Sequence, residues 1–106
     1  MPRFRLTERA KADLRAIGRY TQATWSRAQR NSYLARLDAS FHVLAQEPHR
    51  GRACDDIRPG YYKYHVGRHL IFYRVTGQTL GIERIMHGAR DLPRRLLETP
   101  EDFPAE

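Results

Sequence analysis

The side chains in this 106-residue chain with the types and spacing to do chemistry are its histidines and a surplus of arginines. Cutting a phosphodiester without a metal needs a general base or acid beside cations that stabilise a crowded, charged transition state. His87 follows the strand-like run "LGIERIM", with Arg84, Arg90 and Arg74 within reach in sequence. The catalytic set this suggests is His87, Arg74 and Arg84. The plainer alternative is that these arginines bind an acidic segment of a partner, while His87 only orients the turn that follows it. Other chemistries lack their residues. His42, His49, His65 and His69 are scattered, and His65 and His69 flank a turn instead of sharing a helix face, so no metal site is expected. "GRACDDIRPG" matches no phosphate-binding glycine loop, no hydroxyl nucleophile has an evident base partner, and no cofactor is expected. Cys54 is the one cysteine. It cannot form an internal disulfide, which fits a reducing compartment, and it reads as a small filler near a loop.

Formal net charge is +7, almost all of the cations are arginine, and lysine occurs only at positions 11 and 63. The last residues, "ETPEDFPAE", hold acids and no base, so the basic excess is concentrated in the rest of the chain. Such a body favours a polyanionic partner: nucleic acid, a nucleic-acid-handling machine or an acidic protein segment. Arginine in particular suits bidentate recognition of carboxylate or phosphate. No run approaches the roughly 18 apolar residues of a membrane span. The N-terminus "MPRFRLTERA" lacks the apolar stretch of a secretory signal, so the cytoplasm is the expected location.

The elements that must position these groups follow from hydrophobic period and punctuation. "RFRL" at 3–6 reads as a short first strand. Thr7 caps a helix over 8–24 whose apolar row is Ala10, Leu14, Ile17 and Tyr20. Ser26 with Gln29 starts a second helix that ends before Pro48 and carries Tyr33, Leu34, Leu37, Phe41, Leu44 and Ala45 inward. Two helices with almost no loop between them fold back as an antiparallel hairpin, with Trp25 expected to pack between them at the corner. "DIR" at 56–58 is expected as a short strand, and Pro59-Gly60 as a type II turn. "YYKYHV" puts Tyr62, Tyr64 and Val66 on one face; Gly67-Arg68 fits a two-residue II′ turn. "HLIFYRV" is apolar on both faces and belongs in the middle of the sheet. "LGIERIMH" supplies another strand, with Leu80, Ile82 and Met86 expected on one side. "ARDLPRRLLE" reads as a short terminal helix capped by Asp91. The fold class is α+β: a two-layer sandwich with an N-terminal strand and α-helical hairpin packed on a mainly antiparallel sheet. Residues 1–97 are expected to form one domain, with 98–106 a loose acidic tail.

These residues carry a resemblance. "LTERAKADLRAIGRYTQATW", "AQRNSYLARLDASFHVLAQEPHRGRACDDIRPGYYKYHVGRHLIFYRV" and "IERIMHGARDLPRRL" resemble the ParE branch of the RelE/ParE toxins of bacterial type II toxin–antitoxin systems. The most specific pieces are Gly51-Arg52, Ile57-Arg58-Pro59-Gly60-Tyr61 and His69-Leu70-Ile71-Phe72-Tyr73-Arg74. The resemblance spans about Phe4 to Leu97 and implies the same sheet and helical hairpin. It implies a poison of DNA gyrase that works by binding, neutralised by a ParD-like antitoxin in a hetero-oligomer. RelE-type relatives instead cut messenger RNA on the ribosome, which remains the alternative, with His87, Arg74 and Arg84 as its set. Those relatives carry a basic residue about where this chain has Leu70, and many toxins of this kind have another arginine where it has Ala89. Target contact is expected at His87, Arg90, Arg94 and Arg95. The antitoxin is expected on helix 1, around Arg9, Lys11, Arg15 and Arg19 with Trp25 nearby, and on apolar surface near Tyr62 and Tyr64.

Overall fold

The computed structural model describes residues 3–88. Strand β1 (Arg3–Leu6) leads directly into helix α1 (Glu8–Thr24). The Thr7 hydroxyl accepts from the Ala10 amide at 3.0 Å and donates to the Glu83 carbonyl at 2.9 Å. One side chain thus starts the helix and ties it to the sheet, where a cap alone contributes about 1 kcal/mol. Ser26 caps helix α2 (Arg27–Gln46) by accepting from the Gln29 amide at 3.0 Å. Gly18 lies against Leu34, and Gln22 against Arg30, so the helices run antiparallel as expected.

A 3₁₀ turn at Pro48–Arg50 leads to strands β2 (Arg52–Ala53), β3 (Tyr62–Val66), β4 (His69–Thr76) and β5 (Thr79–His87). The five-stranded sheet has the order β1-β5-β4-β3-β2. β1 joins β5 in parallel and all other pairs are antiparallel. β4, apolar on both faces, is the central strand. Its helix-facing residues Ile71 and Tyr73 join Ile17, Leu37, Phe41 and Leu44 in the main core. On the other face Phe72 and Met86 pack with Cys54 and Tyr61, under the loop that precedes β3. Gly67 at φ 57° permits the tight β3–β4 turn, and the Tyr61 amide closes the Pro59-Gly60 turn onto the Arg58 carbonyl at 3.1 Å.

Three expectations are corrected. "DIR" is not a strand. The Ile57 amide bonds back to the Cys54 carbonyl at 2.9 Å and Asp55 accepts from the Gly60 amide at 2.8 Å, so the segment closes on itself. Met86 does not share a face with Leu80 and Ile82. Phe72 pairs with Arg84 but Tyr73 with Ile82, so Glu83 is the extra residue of a β-bulge and the alternation reverses there. Trp25 does not pack between the helices. The helices meet closely at Gly18, where a Cβ would stand 3.4 Å from Leu34, and Trp25, at the C-terminal end of α1, is 67% exposed. Tyr20, placed in the apolar row, is likewise 54% exposed. The expected terminal helix, with Asp91, and the acidic tail lie outside the described residues. Among the described residues no helix is long and apolar enough to cross a membrane.

Candidate functional site

Where the last turns of α1 and the first turns of α2 meet the β3–β4 turn, the surface opens into a cleft of about 500 Å³. Tyr33 of α2 organises it. Its hydroxyl lies 2.6 Å from His69 Nδ1, 3.2 Å from the Val66 carbonyl and 3.3 Å from the Arg68 amide nitrogen. The hydroxyl donates to the Val66 carbonyl and accepts from the Arg68 amide, and its contact with His69 Nδ1 is the shortest of the three. Burial pushes the Tyr33 hydroxyl's pKa up, while the Arg68 amide and the charges of Arg36 and Arg68 pull it back. Gly67 is required twice here, for its positive φ and because a Cβ would come within 2.8 Å of the Tyr33 ring.

His69 is buried and faces His87 edge to plane, with ring centroids 5.3 Å apart, as expected for directly opposed residues of β4 and β5. Beneath them Asp13 closes the site. β1 ends opposite Ile82, leaving the rest of the β5 edge without a strand partner. Asp13 of α1 takes that edge, accepting from the Ile85 amide at 2.9 Å and from Arg84 at 2.8 and 3.1 Å. The rim is formed by Tyr20, Trp25, Arg36 and Arg68.

Of the suggested catalytic set, the structure places His87 in the cleft and the two arginines elsewhere. Arg84 is held by Asp13. Arg74 stands opposite Gly81, roughly 17 Å along β4 from the His69–His87 rung, given about 3.4 Å per residue. It forms an ion pair with Glu83 at 3.7 Å, and the Tyr61 hydroxyl donates to the same carboxylate at 3.4 Å. Burial raises the Glu83 carboxyl's pKa against the opposing pull of Arg74, Tyr61 and Arg58.

The residues expected to meet an antitoxin fall in two places. Lys11, Arg15 and Arg19 are exposed on α1, with Arg9 half-buried and Lys11 in a salt bridge to Glu8 at 3.2 Å. Tyr62 and Tyr64 lie on β3, separated from β5 by the central strand, and pack against the main core; Tyr62 stacks on Tyr73 at 5.6 Å. Arg90, Arg94 and Arg95 lie outside the described residues. Sequence reasoning missed Asp13, Tyr33, Arg36, Arg68 and His69 as one site. Asp13, an acid past the first turn of α1 amid basic residues, was the available signal. Cys54 is buried, and burial raises its thiol to about 11, with Lys63 opposing and Asp56 and Asp55 reinforcing the shift.

The chain matches, over residues 4–92, a family model described as the ParE toxin of the type II toxin–antitoxin system parDE. It is 41% identical over 95 residues to "Toxin ParE1" of Mycobacterium tuberculosis, covering 89% of this chain and 97% of that one. It is 37% identical over 87 residues to "Toxin ParE1" of Caulobacter vibrioides, covering 82% and 90%. A solved structure described as the chromosomal ParDE TA system from P. aeruginosa matches with a TM-score of 0.69 at 21% identity, covering 82% of this chain and 95% of that one.

Proposed function

The chain belongs to the ParE toxin family of type II toxin–antitoxin systems, and from that premise we propose that it arrests growth by binding and inhibiting DNA gyrase and is neutralised by a ParD-like antitoxin. The observation that carries this reading is the engagement of the arginines. Arg84 is tied to Asp13, and Arg74 to Glu83. Both guanidinium groups of the suggested catalytic set are thus paired with carboxylates, and the cations that share the cleft with His87 are Arg36 and Arg68 instead. Leu70, on the central strand, adds no charge in their place. Basic side chains instead cover the outer face of α1, where Arg15 and Arg19 suit an acidic antitoxin segment and Trp25 offers it an apolar contact. His87 with Arg90, Arg94 and Arg95 is the proposed contact to gyrase.

A supercoiling and cleavage assay with purified gyrase tests the proposal. The protein should block supercoiling and accumulate cleaved DNA, and a ParD-like antitoxin should reverse both effects. Codon-phased transcript cuts after induction, with gyrase unaffected, would assign the activity to the ribosome instead. Replacing Arg94 and Arg95 together by alanine should relieve growth arrest with the unfolding transition unchanged.

A further inference from the structure

The rim of the cleft has a chemistry that the gyrase and antitoxin assignments take up only at His87 and Trp25. Tyr20 and Trp25 are large aromatic residues held at the surface, 54% and 67% exposed, beside the same opening as Arg36, Arg68 and His87. Among the described residues neither Arg36 nor Arg68 enters a salt bridge, in contrast to Arg84 below them. The one carboxylate at the base, Asp13, is matched by Arg84, so it does not oppose an anion. The cleft's volume, about 500 Å³, falls within the roughly 300–1,000 Å³ of small-molecule sites.

We propose that this cleft binds a nucleotide, free or as the end of a single strand, with its base stacked at Tyr20 and Trp25 and its phosphate between Arg36, Arg68 and His87. Flat aromatic faces accept any base, and guanidinium groups suit phosphate oxygens, so the pairing of the two on one rim matches this ligand class. An acidic peptide would use the cations but has less need of two aromatic faces beside them. The framework is built for position: the Tyr33 hydroxyl receives the Arg68 amide and fixes the turn from which the Arg68 side chain reaches out. The proposal does not depend on which enzyme the toxin inhibits.

Trp25 is the sole tryptophan, so its fluorescence reports directly on the rim. Titration of the purified protein with AMP or UMP should give saturable quenching, and inorganic phosphate should give none. Arg68→Ala and Arg36→Ala should each weaken nucleotide binding about tenfold while leaving thermal unfolding unchanged. Equilibrium dialysis with labelled AMP should show a similar loss for Trp25→Ala, which carries no tryptophan to fluoresce. A 5′-phosphorylated single-stranded oligonucleotide that binds more than about tenfold tighter than AMP would identify a strand end as the ligand; equal binding would identify the free nucleotide. Absence of saturable nucleotide binding would overturn the proposal, as would full affinity in the folded arginine variants. Quenching by a glutamate-rich peptide but not by nucleotides would overturn it too, and assign the cleft to a peptide.

Discussion

Asp13 shows how much one side chain carries in this protein. It neutralises Arg84, satisfies the Ile85 amide and so substitutes for the strand that β1 is too short to provide. Both partners are largely buried, with side-chain exposures of 16% for Asp13 and 9% for Arg84. Removing one member of such a pair leaves a charge without its counter-ion and an amide without its acceptor. Asp13→Ala should therefore lower stability by about 3 kcal/mol, read as a drop in the urea midpoint. Adding Arg84→Met should recover part of that loss, because the cation that lost this counter-ion goes with it. A cost below about 1 kcal/mol for Asp13→Ala would mean that the β5 edge is held by other means. The effect differs from that expected at the cleft rim, where Arg36 and Arg68 make no salt bridge among the described residues and their replacement should leave stability unchanged.

At the scale of elements, the critical joint is where the 3₁₀ turn meets the sheet. The Tyr73 hydroxyl donates to the Pro48 carbonyl at 2.7 Å and accepts from the Gly51 amide at 2.9 Å, so a core tyrosine of β4 anchors both ends of the 3₁₀ turn between α2 and β2. A Cβ at Gly51 would stand 2.7 Å from the Lys63 carbonyl and closer still to that hydroxyl. Backbone cannot give way cheaply, so Gly51→Ala should destabilise by about 2 kcal/mol, the scale of overpacking. Gly18→Ala is the contrasting case. Its added methyl meets the tip of Leu34 at 3.4 Å and the flexible Arg30 side chain at 3.7 Å and improves helix propensity, so denaturant unfolding should show it neutral or stabilising by up to about 1 kcal/mol. The same elements show what was legible beforehand. Both helix starts were readable because Thr7 and Ser26 act on amides three residues away. The central position of β4 was readable because its apolar residues fall on both faces. The bulge at Glu83 was not, since it is defined by the offset of two paired strands and leaves the local pattern looking regular. The cleft was hidden for a related reason: Tyr33 and His69 are far apart in the chain and meet only once α2 lies across the β3–β4 turn.

For the whole molecule, the two layers of core share a dependence on neutral tyrosines. Tyr73 is buried on the helix side of the sheet and Tyr61 on the loop side, and burial raises each hydroxyl from 10.0 to about 12. Cys54, beside Tyr61, is raised from 9.0 to about 11. In the unfolded chain all three release their protons near the ordinary values, whereas the folded protein keeps them. The native state then holds more protons, so stability must fall as pH rises through this interval. The protein should be insensitive to these groups below about pH 8 and lose stability steadily from about pH 9 to 12. Because the groups sit on opposite faces of one sheet, fluorescence of Trp25 and far-ultraviolet circular dichroism should report one coincident alkaline transition instead of successive loss of layers. Tyr61→Phe isolates one contribution. It removes a titrating hydroxyl and its bond to Glu83, while Tyr73 and Cys54 remain. Its stability should decline with pH by about one proton less than the parent between pH 10 and 12, measured from urea midpoints at each pH. An unchanged slope would show that Tyr61 ionises in the folded protein as readily as in the unfolded chain, and that the loop over the second core does not exclude water.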